Sequence, residues 1–359
     1  MEHEVVGKLR ARVAAWRYKN PGRSLKVIAV AGPYGKTTTS LILSEMLQEA
    51  GSSVMVLTNH GCFLNGEPVS HRYDASADAL QHCLSVARKK EVGYVIVEVS
   101  DSLVRAHVLP TLPLMMSIVT GDSPVAQALL AEPADYAVVP SGFDVAALGV
   151  APHQAINFGD SDLAEAQVVK VTERRMGTEV DMVIDHQTKL SVATYLVGQA
   201  NALNAAAAVS AAYVLAADTS TFEEGVARLE RVAGNYDYIP TDDTPYTVAV
   251  DGAVSEKSLE LVLKSAAKLK KRRLLAVVDG SVSNEFYPLV KQLADRVITV
   301  GETAELPGVE QAADMKAALE LAKRGAKKDD LVLLLGRDFA ELMPDGTTHA
   351  HKMVGAPGE

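Results

Sequence analysis

Apolar runs alternate with stretches of helical spacing along most of the chain. Val5, Val6, Leu9, Val13 and Trp16 recur three and four apart within 4–18, predicting a helix that Pro21 and Gly22 end. Leu25 to Ala31 is nearly all apolar and runs into glycine, the pattern of a strand buried on both faces. Helical spacing returns from Thr37 to Ala50, closed by Gly51, and Ser53 to Leu57 is a second strand-like run. Strand, loop, helix and strand in that order begin a parallel sheet. A helix is expected over 77–90, with strands over 94–99, 114–119 and 136–139.

Between about 165 and 196 the long apolar runs give way to alternation, through Val168, Val169, Val171, Val180, Met182, Ile184, Leu190 and Val192. That pattern predicts a small antiparallel sheet appended to the parallel one. Helices follow over 200–216, strongly Ala-rich, and 221–233. Turn formers crowd 234–246 and mark a domain boundary. Beyond it, strands over 247–251, 274–278, 296–300 and 330–335 alternate with helices over 255–268, 285–294 and 314–324. The expected fold class is α/β: a first domain over 1–238 with a mostly parallel sheet, then a smaller doubly wound domain over 239–359.

Composition agrees: 48% of the 359 residues are hydrophobic but only 5% aromatic, as in Val-rich strands and Ala-rich helices. A formal charge of −10 argues against nucleic acid and anionic membrane as partners. The basic cluster from Lys264 to Arg273 reads as a solvated helix end. Cys62 and Cys83 form no CxxC pair, so neither a disulfide framework nor a zinc site is expected. The first twenty residues lack a signal-peptide core and no apolar run is long enough to span a bilayer, so a cytoplasmic location is expected by elimination.

The strongest chemical signal is Gly32-Pro-Tyr-Gly-Lys-Thr-Thr-Thr39, placed after an apolar strand and at a helix start. Glycines at 32 and 35 permit a tight turn that brings backbone N–H groups close to phosphate oxygens, beside the positive end of a helix dipole. Lys36 would reach the outer phosphates of ATP, and the Thr37 hydroxyl would coordinate Mg²⁺. Val30 stands where the longer GxxxxGK[ST] pattern has its first glycine. The competing reading is an ordinary strand-to-helix turn with an incidental lysine. Glu98, near the end of Val95-Ile-Val-Glu-Val99, is the candidate carboxylate for Mg²⁺; a solvent-facing strand end is its alternative.

This loop resembles the Gly-Thr-x-Gly-Lys-Thr-Thr loop of the Mur ligases and folylpolyglutamate synthases. Val97-Glu-Val-Ser100 is similar to the Glu-Val-Ser of the muramoyl-tripeptide synthetase branch, and Val197-Gly-Gln-Ala-Asn-Ala-Leu-Asn204 to that family's Asn-containing helix start. Val232-Ala-Gly-Asn-Tyr-Asp237, Val248-Ala-Val-Asp-Gly-Ala253 and Leu333-Leu-Leu-Gly-Arg337 resemble three later family segments, in the right order. The resemblance implies an ATP-dependent carboxylate–amine ligase working through an acyl phosphate, possible in cell-wall peptide synthesis, on small-molecule acid and amine substrates. It implies that Gly32, Pro33, Tyr34, Gly35, Lys36, Thr37, Thr38, Asn201 and Asn204 line the nucleotide and that Thr37 and Glu98 serve the metal. Lys36, Glu98 and Asp251 are the implied catalytic residues, Asp251 on the second domain facing the ATP site.

Several positions depart from the family pattern. Its N-terminal UDP-binding domain has no counterpart, so a protein partner in that role is an expectation. Its Thr-Thr-Pro segment is Ala75-Ser-Ala77 here, and its metal-binding His falls in Thr120-Gly-Asp-Ser123, where Asp122 could substitute. No lysine lies between 107 and 169, the stretch expected to hold a carbamylated one. Asn235 replaces the Arg of its Gly-Arg turn, and Val254 replaces a His. These departures keep open a nucleotide- or partner-binding protein without catalysis; a partition-type ATPase is a third reading. His60, Arg105 and His107 could meet substrate or serve only the surface, and no function is expected of His349 or His351.

Overall fold

The computed structural model describes residues 2–58, 61–69, 75–144, 154–174, 177–239, 244–301 and 307–341. The chain divides into two compact units. The first comprises Met1–Val171, Glu179–Thr194 and Asn201–Leu229; the second comprises Thr172–Thr178, Tyr195–Ala200 and Glu230–Glu359. The main switch thus falls just ahead of the turn-rich stretch that sequence marks.

The elements run α1 (Glu2–Arg17), β1 (Val27–Ala31), α2 (Lys36–Glu49), β2 (Val54–Thr58), β3 (Gly61–Leu64), β4 (Glu67–Pro68), α3 (Ala77–Lys89) and β5 (Tyr94–Glu98). Then come α4 (Asp101–Arg105), β6 (Leu114–Val119), α5 (Pro124–Leu130), β7 (Ala134–Pro140) and β8 (Ala155–Gly159). Next are β9 (Ala166–Arg174), β10 (Gly177–Ile184), β11 (Thr188–Thr194), α6 (Gln199–Val214) and α7 (Phe222–Ala227). These strands form one eleven-stranded sheet, ordered β11-β10-β9-β8-β7-β6-β1-β5-β2-β3-β4. The alternating strands of 165–196 therefore continue the main sheet.

β1 is its centre, parallel to β5 on one side and β6 on the other. All five of its residues are buried, which explains a run with no polar face. On one side, α3 lays Leu80, Cys83, Leu84 and Ala87 into a core with Ala29, Met55, Leu57, Val95 and Val97. Helix α2 packs on β1, β2 and β5. No helix among the described residues is long and apolar enough to cross a membrane.

The second unit contains β12 (Asp237–Ile239), β13 (Thr247–Asp251), α8 (Glu256–Leu269), β14 (Leu274–Val278), α9 (Tyr287–Leu293), β15 (Arg296–Val300), β16 (Val309–Ala312), α10 (Met315–Gly325), β17 (Leu331–Leu335) and α11 (Arg337–Glu341). Its sheet is ordered β12-β13-β17-β14-β15-β16, parallel from β13 to β16. Leu331–Leu335, wholly buried, fills the slot between β13 and β14.

Helix α7 is shorter than the helix expected over 221–233. Past its end Arg231 makes a bidentate pair with buried Asp237, at 2.6 and 2.7 Å, which holds the chain in a turn. Within α7, a Cβ added at Gly225 would lie 2.7 Å from the Cα of Met46 on α2. Overpacking of that kind costs about 1–3 kcal/mol, against roughly 1 kcal/mol gained in helix propensity. Gly225→Ala should therefore lower the urea-denaturation midpoint; a raised midpoint would show that α2 and α7 do not pack this closely.

Candidate functional site

The register of the large sheet brings three strand ends together. Val30 lies beside Glu98, and Ala31 beside Val119. Just past those ends, the Val99 N–H donates to the Val30 carbonyl at 2.8 Å and the Thr120 N–H to the Ala31 carbonyl at 2.9 Å. The loop 32–35 leaves the sheet between these two fastenings. The Thr120 hydroxyl also donates to the Tyr34 carbonyl.

Glycine is required twice in this loop, by conformation and by space. Gly32 has φ 146° and Gly35 φ 72°, both in the region that side chains disfavour. A Cβ at Gly32 would fall 2.1 Å from Oγ1 of Thr120, and one at Gly35 2.0 Å from Oδ1 of Asn204. Asn204, buried on α6, donates to the buried Asn201 amide oxygen at 3.2 Å. Thus α6 closes against the loop at its tightest turn.

Lys36 folds back so that Nζ donates to the Gly32 carbonyl at 2.9 Å. Helix α2 starts at this residue, and Gly35 before it supplies no side-chain cap. The first-turn N–H groups of a helix have no acceptor within it, and the positive end of the dipole lies there. Beside them the Thr37 hydroxyl donates to Oε2 of Glu98 at 2.8 Å, and Glu98 is only 3% exposed. An ammonium, backbone donors and a glycine-lined turn fit a polyphosphate; a hydroxyl paired with a carboxylate offers hard oxygen ligands that suit Mg²⁺. Glu98 does not face solvent: it is buried against the start of α2, where the Thr37 hydroxyl holds it.

In the second unit, two carboxylates flank the end of β17. Asp251, the last residue of β13, accepts the Tyr236 N–H at 2.9 Å and the Ala253 N–H at 2.8 Å, one on each oxygen. Burial pushes its carboxyl up to about 7, although both N–H donors pull the other way. Asp279, after β14, accepts the Ser281 N–H and the Phe339 N–H, each at 2.9 Å. Gly336, at φ 126°, lies between β17 and α11, and a Cβ there would meet Asp279 at 2.0 Å. The two carboxylates pin the loops that follow three neighbouring strands.

Residues 227–337 match the family described as Mur ligase, glutamate ligase domain. The UDP-N-acetylmuramoyl-L-alanyl-D-glutamate–2,6-diaminopimelate ligase of Halalkalibacterium halodurans is 23% identical over 358 residues, spanning 92% of this chain and 72% of that protein. Residues 227–337 thus carry the Mur ligase glutamate ligase domain, and the chain as a whole is similar to Mur ligases. The UDP-N-acetylmuramyl-tripeptide synthetase of Deinococcus radiodurans is 26% identical, over 91% of this chain and 76% of its own length. Mycobacterium tuberculosis folylpolyglutamate synthase, solved with ADP, shares the fold at a TM-score of 0.76 and 13% identity, over 98% of this chain and 95% of that one.

Against the Mur ligase pattern, the structure gathers Gly32, Gly35, Lys36, Thr37, Glu98, Asn201 and Asn204 into one cluster of the first unit. Asp251 belongs to the second unit, with both oxygens engaged by backbone. Asp122, the expected stand-in for the family's His, is exposed and accepts from the Gln127 amide at 3.0 Å. Arg105 pairs with Asp101 one turn away on α4, and the His107 ring lies against Gly7 of α1. Val254 packs on the core of the second unit. His60, His349 and His351 lie outside the described residues. Sequence reasoning missed Thr120 as the loop's fastener, and missed Asp279 with Ser281. The only signal for Asp279 was an Asp-Gly pair directly after an apolar run.

A raised folded-state pKa means that Asp251 holds its proton more tightly folded than unfolded. Its stabilising contribution is complete below its ordinary value of 3.8 and is lost as pH rises through about 7. The denaturation midpoint of the native chain should carry a falling component across that window that Asp251→Asn lacks. Identical pH slopes in the two proteins would contradict the assignment.

Proposed function

We propose that this chain is an ATP-dependent ligase that joins a carboxylic acid to an amine through an acyl phosphate. The observation that carries the proposal is the Thr37–Glu98 pair set beside the Gly32–Lys36 turn and closed by Asn204. Support comes from the relatives, which are named a ligase and a synthetase, and from solved neighbours that hold ADP or AMPPCP.

In the proposed reaction a carboxylate oxygen attacks the outer phosphorus of ATP, and ADP leaves. The amine then attacks the acyl carbon, the tetrahedral adduct expels inorganic phosphate, and an amide remains. Such chemistry depends on positioning and charge neutralisation more than on covalent help from the protein. Lys36 and the first-turn N–H groups of α2 would hold the phosphates. Thr37 and Glu98 would hold Mg²⁺, which supplies charge neutralisation between the phosphates when bound. Asn201 and Asn204 would set the wall of the turn. Asp251 enters as the residue that fixes the Tyr236 turn of its own unit. The names of the relatives make a cell-wall peptide precursor the first acid to try.

The second reading is nucleotide binding without turnover. Asn235, Val254 and the lysine-free stretch from 107 to 169 favour it, since the family pattern has an arginine, a histidine and a carbamylated lysine at those places. Phosphate release separates the two. The ligase should release phosphate from Mg²⁺-ATP only with both an acid and an amine present, and Glu98→Gln should slow release about 100-fold or more. Tight ATP binding with no phosphate release across a panel of acids and amines would establish the second reading instead.

A further inference from the structure

Helix α1 has two opposite apolar faces, and among the described residues only one is covered. Ala11, Ala14 and Ala15 are buried, and the helix packs on α3. On the other side Val5, Val6, Leu9, Val13 and Trp16 remain 45–75% exposed. Turned at 100° per residue, these five fall within an arc of about 100°. Single exposed apolar side chains are ordinary on a protein surface, whereas a stripe of five large ones marks an interaction face.

The spacing and the rim of the stripe select its occupant. Val6, Leu9, Val13 and Trp16 are separated by three, four and three residues, the a and d positions of two heptads. Arg10 and Arg17 then take e positions and Arg12 a g position, with Lys8 on the same side as Arg12; all four are exposed. From Val5 to Arg17 there are four basic residues and no acidic one. A second copy would set arginine against arginine in either orientation, which repels. A lipid surface suits a broad apolar face better than this narrow seam, and a chain of net charge −10 is repelled by anionic headgroups. Arg17 already donates to a carboxylate, that of Asp78, at 3.2 Å, in an exposed pair weak enough to exchange.

We propose that α1 is a docking site for an amphipathic helix of another protein, with an aliphatic a/d seam flanked by Glu or Asp. The apolar seam would bury Leu9, Val13 and Trp16, and the acidic flanks would meet Arg10, Arg12 and Arg17. This site is independent of the nucleotide cluster and stands whether or not the ligase reading does.

Trp16 is the chain's only tryptophan, so its emission reports on the stripe alone. The full chain is titrated with a synthetic helix about three heptads long, with Leu at a and d and Glu at e and g. A matched peptide with Lys at e and g, and phosphatidylcholine–phosphatidylglycerol vesicles, are titrated in parallel. The proposal predicts a saturable blue shift with the Glu peptide alone. Leu9→Ser, or Arg10→Glu combined with Arg12→Glu, should weaken binding about tenfold or more. These positions are solvent-exposed, so far-UV dichroism should stay native. No shift with the Glu peptide, or an equal shift with the Lys peptide, would overturn the proposal. So would a shift with vesicles, or one that grows with protein concentration alone; these would assign the stripe to lipid or to a second copy.

Discussion

The site depends on the near-contact between Asn204 and Gly35. An oxygen of Asn204 occupies the place where any side chain at 35 would begin, so the turn before α2 tolerates only glycine there. That turn fixes where α2 starts, hence where Thr37 meets Glu98 and where Lys36 folds back over the loop. Glu98 is fixed from the other direction, by parallel pairing of β5 with β1 in a register that sets it beside Val30. Two independent constraints, one from a helix and one from a sheet, thus converge on one hydroxyl–carboxylate pair.

Much of this was legible in the sequence because the relevant elements are extreme. β1 and β17 are buried on both faces and so are written as unbroken apolar runs, and β5 departs from that pattern only at Glu98, its last residue. The Gly32–Lys36 loop announces itself through two glycines at positive φ directly after an apolar run. The short strands β3, β4, β12 and β16 were not legible: two to four residues show no period, and β4, β12 and β16 lie at sheet edges. The contact of Asn204 with Gly35 joins residues far apart in the chain, and no local pattern encodes it. The length of α7 was misread for a similar reason, because Arg231 leaves the helical pattern to pair with Asp237.

The second unit repeats the theme with carboxylates in place of phosphate donors. Asp251 and Asp279 are spent on backbone N–H groups, so each fixes the loop after its strand. The segments around 235, 251 and 336 resemble the family in their turns and strand ends, while Asn235 and Val254 stand where the family pattern has an arginine and a histidine. The geometry of the Gly32–Lys36 turn with Thr37 and Glu98, and the match of residues 227–337, are therefore the firmest links between this chain and the ligases it resembles.

The account stands first on nucleotide binding, and calorimetry tests that directly. ATP is titrated into the folded chain with and without Mg²⁺, and into Lys36→Ala. Micromolar binding that requires Mg²⁺ and is lost in the variant is predicted, a change of about 4 kcal/mol or more if affinity falls from micromolar to beyond millimolar. A folded native chain that takes up no ATP would contradict it, leaving the Gly32–Lys36 turn as a shape without its ligand.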